Sequence, residues 1–569
     1  MNFSGKFSYF FRRYPVLRLF IAIFIAVLIV GSIFLVNYKT LLAPEIESII
    51  PPVGSPGDVV LIRGKNFGDI RDMSYVEIAG TKLTSSSYIS WSDNTIKIVL
   101  PADLHDGLVF VGNRKLRSKP ALFANEVDIP VPVPAVQHVT KPVITELSAE
   151  KVYVGDILTI SGNNFGENRN DSKVLFTIDY NNKIKDADYV NVNMLSENMI
   201  AANEDDFDYV SWSNTEIKVY VPDGAKTGVI IVNNGKEKSE PKDITINNDA
   251  GEKEYTNKKI YLIQYSADIA DVVSDGTATI TLRCPIPYKT AAQPDVENTE
   301  NSPEPVLLNY HNNLIHQISG IKNGSPKSVF TQTFVITVFE IHSQVNHIKI
   351  GNYKNVNKSM LSVALRPDSL VHSDNVEIIN LAKEIAGKEK NQYKVAREIY
   401  NYMCKNFSVV NKNRKNGSDP VELLKLKKGD AYDFAVIYTA LLRAVGIPAL
   451  TDGGILISQD MQTQAHWWCE FYVDKVGWIP VDPALGADLE YKKWSDSGIE
   501  NDMEFYFGNM DSHHIIFSRG WNQLKPFSAD NKIVQQPRSF ALQSIWEEAN
   551  ATTKKYSSYW SIPVVKGVY

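Results

Sequence analysis

Gly429-Asp430-Ala431-Tyr432-Asp433-Phe434-Ala435-Val436-Ile437-Tyr438-Thr439-Ala440-Leu441-Leu442-Arg443-Ala444-Val445-Gly446-Ile447-Pro448 decides how the rest of the chain is read. A tight Gly-Asp turn opens it. The residues that follow are apolar almost without a break, which predicts a buried helix. Gly446 closes that helix, and Ile447-Pro448 leads into an extended run. Residue 431 therefore sits in the first turn, where unpaired backbone N–H groups and the helix dipole favour negative charge.

Two shorter blocks follow, Ala465-His466-Trp467-Trp468 and Gly477-Trp478-Ile479-Pro480-Val481-Asp482-Pro483. The three blocks in this order resemble the core of the transglutaminase-like superfamily, an α+β papain-like fold. In that family the residue two after the glycine is the cysteine nucleophile, and here it is Ala431. The resemblance implies His466 as general base and Asp482 as the carboxylate that orients its imidazole, the arrangement of cysteine-type acyl transfer. A thiolate at 431 would be stabilised by the helix N-terminus. The same N–H groups would serve as an oxyanion hole. Gly429, Asp430, Asp433, Ala435, Leu442, Arg443, Gly446, Ile447 and Pro448 match as scaffold.

No other residue takes the place of the nucleophile by position. Cys469 lies three residues after His466, an odd offset that points to the opposite face of a strand. Cys404 belongs to an earlier helical stretch and reads as a small buried residue. Tyr432 leaves the helix about 100° from position 431. Tyr432, Trp467 and Trp478 are the candidates for a binding cleft.

The core is expected over residues 373–490. Val376, Ile379, Leu381, Ala382 and Ile385 form one amphipathic stretch, and Val395, Ile399, Tyr402 and Met403 another. Gly417-Ser418-Asp419-Pro420 supplies a helix start ahead of Val421–Leu426. Residues 491–569 are expected to add closing strands. His513 and His514 lie there side by side, so on a strand they face opposite ways, and they read as packing residues rather than ligands.

At 569 residues the chain is too long for one core, so three or four domains are expected. A net charge of −6 and the lack of a Lys/Arg-rich patch argue against nucleic acid. Three cysteines, Cys284, Cys404 and Cys469, make no disulfide framework and no metal-ligand spacing, so no metal and no cofactor are expected.

Upstream of the core the sequence repeats itself. Val60-Leu-Ile-Arg-Gly-Lys-Asn-Phe-Gly68 matches Leu158-Thr-Ile-Ser-Gly-Asn-Asn-Phe-Gly166, and Tyr88–Pro101 matches Tyr209–Pro222. Ile96, Ile98 and Leu100 alternate with Lys97 and Val99, which is strand periodicity. Internal repetition means a duplicated unit. With Pro44-Glu-Ile and Pro142-Val-Ile at their starts, the copies resemble IPT/TIG immunoglobulin-like sandwiches, over residues 43–128 and 141–248. A Pro-spaced linker, 129–140, separates them and should be extended. The second copy carries a polar insertion over Asn168–Phe207. Asp205, Asp206 and Asp208 at its end offer oxygen ligands for Ca²⁺, but without a loop of defined spacing they read as a solvated acidic turn. A β-rich domain is expected over 259–357, where alternating runs such as Phe330–Ile341 recur.

Leu19–Tyr38 holds no charged residue and is long enough to span a bilayer core, about 20 residues. Arg12, Arg13 and Arg18 precede it, so residues 1–18 are expected in the cytoplasm and everything after the 19–38 signal anchor outside it. The whole then reads as a multidomain, single-pass membrane protein: a transmembrane helix, two all-β sandwiches, a β-rich domain and a papain-like core. The expected role is non-catalytic binding of a polypeptide or a cell-envelope polymer. Two alternatives stand beside it. One is a cysteine-type protease, amidase or transglutaminase, if the nucleophile comes from elsewhere or Ala431 is engineered. The other is a stalk or adhesion protein acting through its sandwiches.

Overall fold

The computed structural model describes residues 16, 23–28, 43–71, 73–101, 107–113, 116–125, 141–180, 198–321, 323–495 and 497–569. Among them no helix is long and apolar enough to cross a membrane. Of the expected anchor at 19–38 only residues 23–28 are described, as helix; the linker at 129–140 lies outside the described residues. The chain divides into two compact units, Met1–Val133 with Lys525–Asn531, and Pro134–Leu524 with Lys532–Tyr569.

The first unit contains a sandwich of two sheets. One has the order Glu45–Ile50, Val59–Lys65, Thr95–Val99, Tyr88–Trp91; the other Val53–Gly54, Ala121–Asn125, Gly107–Gly112, Tyr75–Ile78, Thr81–Lys82. The second unit opens with a sandwich of the same topology. Its sheets run Val143–Leu147, Ile157–Asn163, Glu216–Tyr220, Tyr209–Trp212, and Lys151–Val152, Lys242–Ile246, Gly228–Asn233, Lys173–Thr177, Met199–Ala201. The repeated letters of the sequence do the same work in each copy. Phe67 and Phe165 are buried plugs, each preceded by an asparagine in the left-handed region, at φ 61° for Asn66 and 63° for Asn164. Gly64 and Gly162 lie where strands cross closely: a Cβ would sit 1.9 Å from the Glu45 carbonyl oxygen and 2.0 Å from that of Val143. The Tyr88 hydroxyl accepts from Val76 N at 2.7 Å, and that of Tyr209 from Val174 N at 3.0 Å.

A β-domain follows, and it starts earlier than the sequence suggests. Its longest strand is Gly251–Ser274, paired antiparallel with Ser328–Val345 over nearly its whole length. The C-terminal strands Thr553–Trp560 and Val564–Val568 also pair with Gly251–Ser274, and Glu547–Ala549 pairs with Ala278–Pro285. The end of the chain therefore completes the β-domain rather than closing the core, a pairing between distant segments that strand periodicity cannot assign. Arg283 and Glu548 form an ion pair, fully buried, between these segments.

The core begins with helix α1 (Lys358–Leu365), ahead of the expected start at 373, and continues with α2 (Val376–Ala386), α3 (Gln392–Asn406), α4 (Glu422–Leu426) and α5 (Ala431–Ala444). Asn357, Asn375 and Asn391 cap the first three through their side chains. Four antiparallel strands, β1 (Ala449–Ile457), β2 (Thr463–Val473), β3 (Gly477–Val481) and β4 (His514–Arg519), form a sheet in the order β3-β2-β1-β4. Strand β4 falls beyond residue 490, so the core sheet extends past its expected boundary. Every residue of α5 from Ala431 to Arg443 is buried, which is why that helix is apolar on all sides.

Candidate functional site

The turn before α5 is built around two aspartates. The Asp430 carboxylate accepts from Asp433 N at 3.0 Å, and the Asp433 carboxylate accepts from Asp430 N at 3.1 Å, a reciprocal capping box. Gly429 is required here, since a Cβ would meet Asp433 Oδ2 at 2.8 Å and Leu423 Cδ1 at 2.9 Å. Both carboxylates are fully buried, and Arg538 answers them. Its Nη1 donates to both Asp430 oxygens at 2.6 and 2.7 Å, and its Nη2 to Asp433 Oδ1 at 2.7 Å. Arg414 Nη1 adds a bond to Asp433 Oδ2 at 2.9 Å. Burial and the neighbouring Asp430 charge still push Asp433 above the usual carboxylate range, against the pull of Arg538 and Arg414. The Arg538 guanidinium also stands 4.4 Å from the centroid of the Tyr432 ring.

Ala431 occupies the first position of this capped helix and is 5% exposed. The next residue, Tyr432, meets the ring of Trp467 edge-on at 5.3 Å, and Trp467 follows His466 in β2. The contact sets the first turn of α5 against the strand that carries His466. His466 Nε2 lies 2.5 Å from Asp482 Oδ2, with both side chains fully buried. Asp482 Oδ1 accepts from the backbone N–H of Ala484 and Leu485, each at 2.9 Å. Burial alone would raise Asp482, but His466 and His514 hold it well below the usual carboxylate range. With Nε2 as the donor to Asp482, His466 keeps its lone pair on Nδ1. That atom is buried and has no hydrogen-bond partner among the described residues.

His514 is the residue the sequence misplaced. It is not a simple packing residue: its Nε2 lies 3.3 Å from Asp482 Oδ2, and its Nδ1 2.8 Å from Asp511 Oδ1. Asp511 also accepts from the Tyr506 hydroxyl at 2.7 Å. Burial disfavours a charged His514, yet the carboxylates of Asp511 and Asp482 raise it to about 9. His513 does point the other way. It stacks on Trp494 at 4.3 Å and bonds the Tyr261 hydroxyl at 2.9 Å. One ligand atom from each of His466, Asp482 and His514 lies within 4.8 Å of the others. The three are joined as a hydrogen-bonded chain through Asp482 Oδ2.

The thiols stay out of this arrangement. Cys469 lies on the strand face opposite His466, as alternation requires, and its Sγ donates to the Ala435 carbonyl at 3.1 Å. Burial raises it well above the ordinary thiol range. Burial also pushes Cys404 up to about 12, and all three cysteines are free. All three cleft candidates, Tyr432, Trp467 and Trp478, are buried, and the Trp467 indole donates to Ser539 O at 3.0 Å. Trp478, in β3, also lines a pocket of about 310 Å³ beside Arg519. The acidic turn of the second sandwich is no cation loop: Asp206 pairs with Arg519, and Asp208 accepts from Asn203 N at 2.8 Å.

A model of the transglutaminase-like superfamily matches residues 379–483, and one of the IPT/TIG domain matches residues 44–123. An uncharacterized protein of Haemophilus influenzae is 28% identical over 162 residues, which is 24% of this chain and 44% of that relative. The match therefore spans less than half of the curated relative's length. Among solved structures, a candidate cysteine protease from Cytophaga hutchinsonii is 14% identical, with a TM-score of 0.35 over 54% of this chain and 92% of that one. The periplasmic domain of TgpA from Pseudomonas aeruginosa is 13% identical, with a TM-score of 0.24 over 40% of this chain and 86% of that one.

Proposed function

We propose that this chain, which carries a transglutaminase-like core at residues 379–483 and an IPT/TIG domain at residues 44–123, uses its core to recognise a polymer rather than to cut or join one. The observation that carries this reading is Ala431 at the first position of α5, in a site that keeps its paired His466 and Asp482. A methyl group cannot attack a carbonyl, and acyl transfer of this type needs a nucleophile beside the base. Cys469 is a buried thiol and Cys404 a half-buried one, both with raised pKa values, the reverse of an activated thiolate.

The ligand class that fits an exported, anchored protein is a polypeptide or a cell-envelope polymer. Leu19–Tyr38 supplies the anchor in this reading, with residues 1–18 cytoplasmic and the sandwiches holding the core away from the bilayer. The test is labelling of the purified wild-type chain with a thiol-directed peptide electrophile, followed by mass spectrometry of its peptides. No adduct is expected. An adduct at Cys404 or Cys469 that depends on His466 would make the protein an enzyme and overturn the reading.

A further inference from the structure

Beside the insertion in the second copy, the two sandwiches differ in the turn before a shared tyrosine, and that turn lines a pocket. Tyr88 and Tyr209 are equivalent, each taking a backbone N–H of its own sandwich. Ahead of Tyr88 the first copy has Ser85-Ser86-Ser87, a short 3₁₀ turn. Ahead of Tyr209 the second has Asp206-Phe207-Asp208. There Phe207 takes a left-handed backbone at φ 59°, costly for an aromatic residue, and remains 39% exposed. Asn357, the cap of α1, donates to the Phe207 carbonyl at 2.7 Å and holds the turn in place. A strained, exposed aromatic residue retained by a dedicated bond points to use of its side chain.

That side chain helps to line the pocket of about 310 Å³ that also takes in Trp478 and Trp521, a volume at the small end of the range for ligand sites, roughly 300–1,000 Å³. The opposite wall is the apolar face of α1, with Met360 and Ala364. Between these surfaces stand three carboxylates, Asp205, Asp206 and Asp368, and three guanidiniums, Arg366, Arg443 and Arg519, so the formal charges cancel. Arg519 is bound to Asp206 and Glu470, and Arg443 to Asp368 at 2.8 Å. Such a pocket has no cationic surplus for a phosphate or a polyanion. Three of its backbone carbonyls are engaged as well: Phe207 O by Asn357, Arg366 O by Arg443 at 2.8 Å, and Trp478 O by Lys253 at 2.7 Å. Recognition falls to aromatic faces and to planar, multiply hydrogen-bonding side chains.

We infer that this pocket binds a neutral saccharide. A pyranose ring has an apolar C–H face to lay on an indole and hydroxyls to share with carboxylate and guanidinium edges, and it carries no charge. Phe207 and Trp521 form the rim against which a ring stacks, and Trp478, with the Arg519 guanidinium 4.7 Å from its ring centroid, forms the floor. The inference rests on the reading that the core recognises a polymer, and it puts the contact at a place other than the His466–Asp482 pair.

The test is to probe the purified full chain on an array of neutral glucan, mannan, galactan and N-acetylglucosamine oligosaccharides, with anionic glycans and peptides on the same surface, and to measure the best neutral binder by calorimetry. Binding to a neutral oligosaccharide is expected, weakened at least tenfold by Trp521→Ala. Phe207→Ser, which restores the residue of the first sandwich, should weaken it similarly and serves if Trp521→Ala fails to fold. Binding of anionic glycans or peptides alone, binding that neither variant alters, or no binding to any neutral glycan would each overturn the inference. None of these outcomes touches the thiol-labelling result, so the two readings fail separately.

Discussion

The capped start of α5 and the pocket beside Trp478 belong to one core, yet they are finished in opposite ways. At the first, every polar group is sealed: Asp430 and Asp433 are fully buried under Arg538, and His466 and Asp482 are fully buried beside His514. At the second, Phe207 is 39% exposed at the rim and Asp205 and Arg366 are exposed beside it, while Trp478 and Arg443 are buried. The region that holds the His466–Asp482 pair is the closed one. The open region draws part of its wall from the second sandwich. The contrast separates two things that an active enzyme of this type keeps together, a base aimed at a nucleophile and a surface that meets a ligand.

The sealed region should be the more sensitive of the two to loss of one charge. Arg538→Ala strips the main partner from two buried carboxylates, a change that costs about 3–5 kcal/mol when a buried pair is broken from one side. Urea unfolding of the variant reads it directly. A loss below about 1 kcal/mol would place Arg538 among ordinary exposed pairs and erase the contrast.

The next effect is pH-dependent and belongs to His514. Its pKa is about 9 in the fold, against about 6.5 for an unperturbed histidine. A raised pKa stabilises fully below the unfolded value and is lost as pH rises through the folded one. The native state should therefore lose up to about 3 kcal/mol between roughly pH 6.5 and pH 9, at about 1.36 kcal/mol per pKa unit. His514→Gln should flatten that part of the profile, measured by urea melts at pH 6 and pH 9.5. Asp482 and Asp511 work in the opposite sense: their lowered pKa values stabilise above the ordinary carboxylate range and fade in acid. An unchanged alkaline slope in His514→Gln would remove His514 from the chain of groups behind His466.

Particular residues show why some of this was legible in the sequence and some was not. The α5 turn, the order His466 then Asp482, and the twofold Asn-Phe-Gly are local patterns, and local geometry follows from them: a helix start, a strand position, a left-handed asparagine. His513 and His514 were correctly set on opposite faces, but which face meets Asp482 depends on β4 pairing with β1, a register between distant segments. Arg538 reaching Asp430 leaves no local mark at all. Phe207 ends a polar insertion in the sequence, and its left-handed backbone and its bond to Asn357 arise only where the sandwich meets the core.

The central claim is that the core keeps an oriented base at a helix start that has lost only its nucleophile. Ala431→Cys tests it, with alkylation by iodoacetamide followed by mass spectrometry across pH 5 to 10. The wild-type chain supplies the blank, since burial raises Cys284, Cys404 and Cys469. The predicted result is a thiol at 431 that reacts with a midpoint near or below pH 7, against about 8.5 for a free cysteine, and that returns toward 8.5 when His466→Ala is added. A midpoint near 8.5 in the single variant, unmoved by His466→Ala, would contradict it.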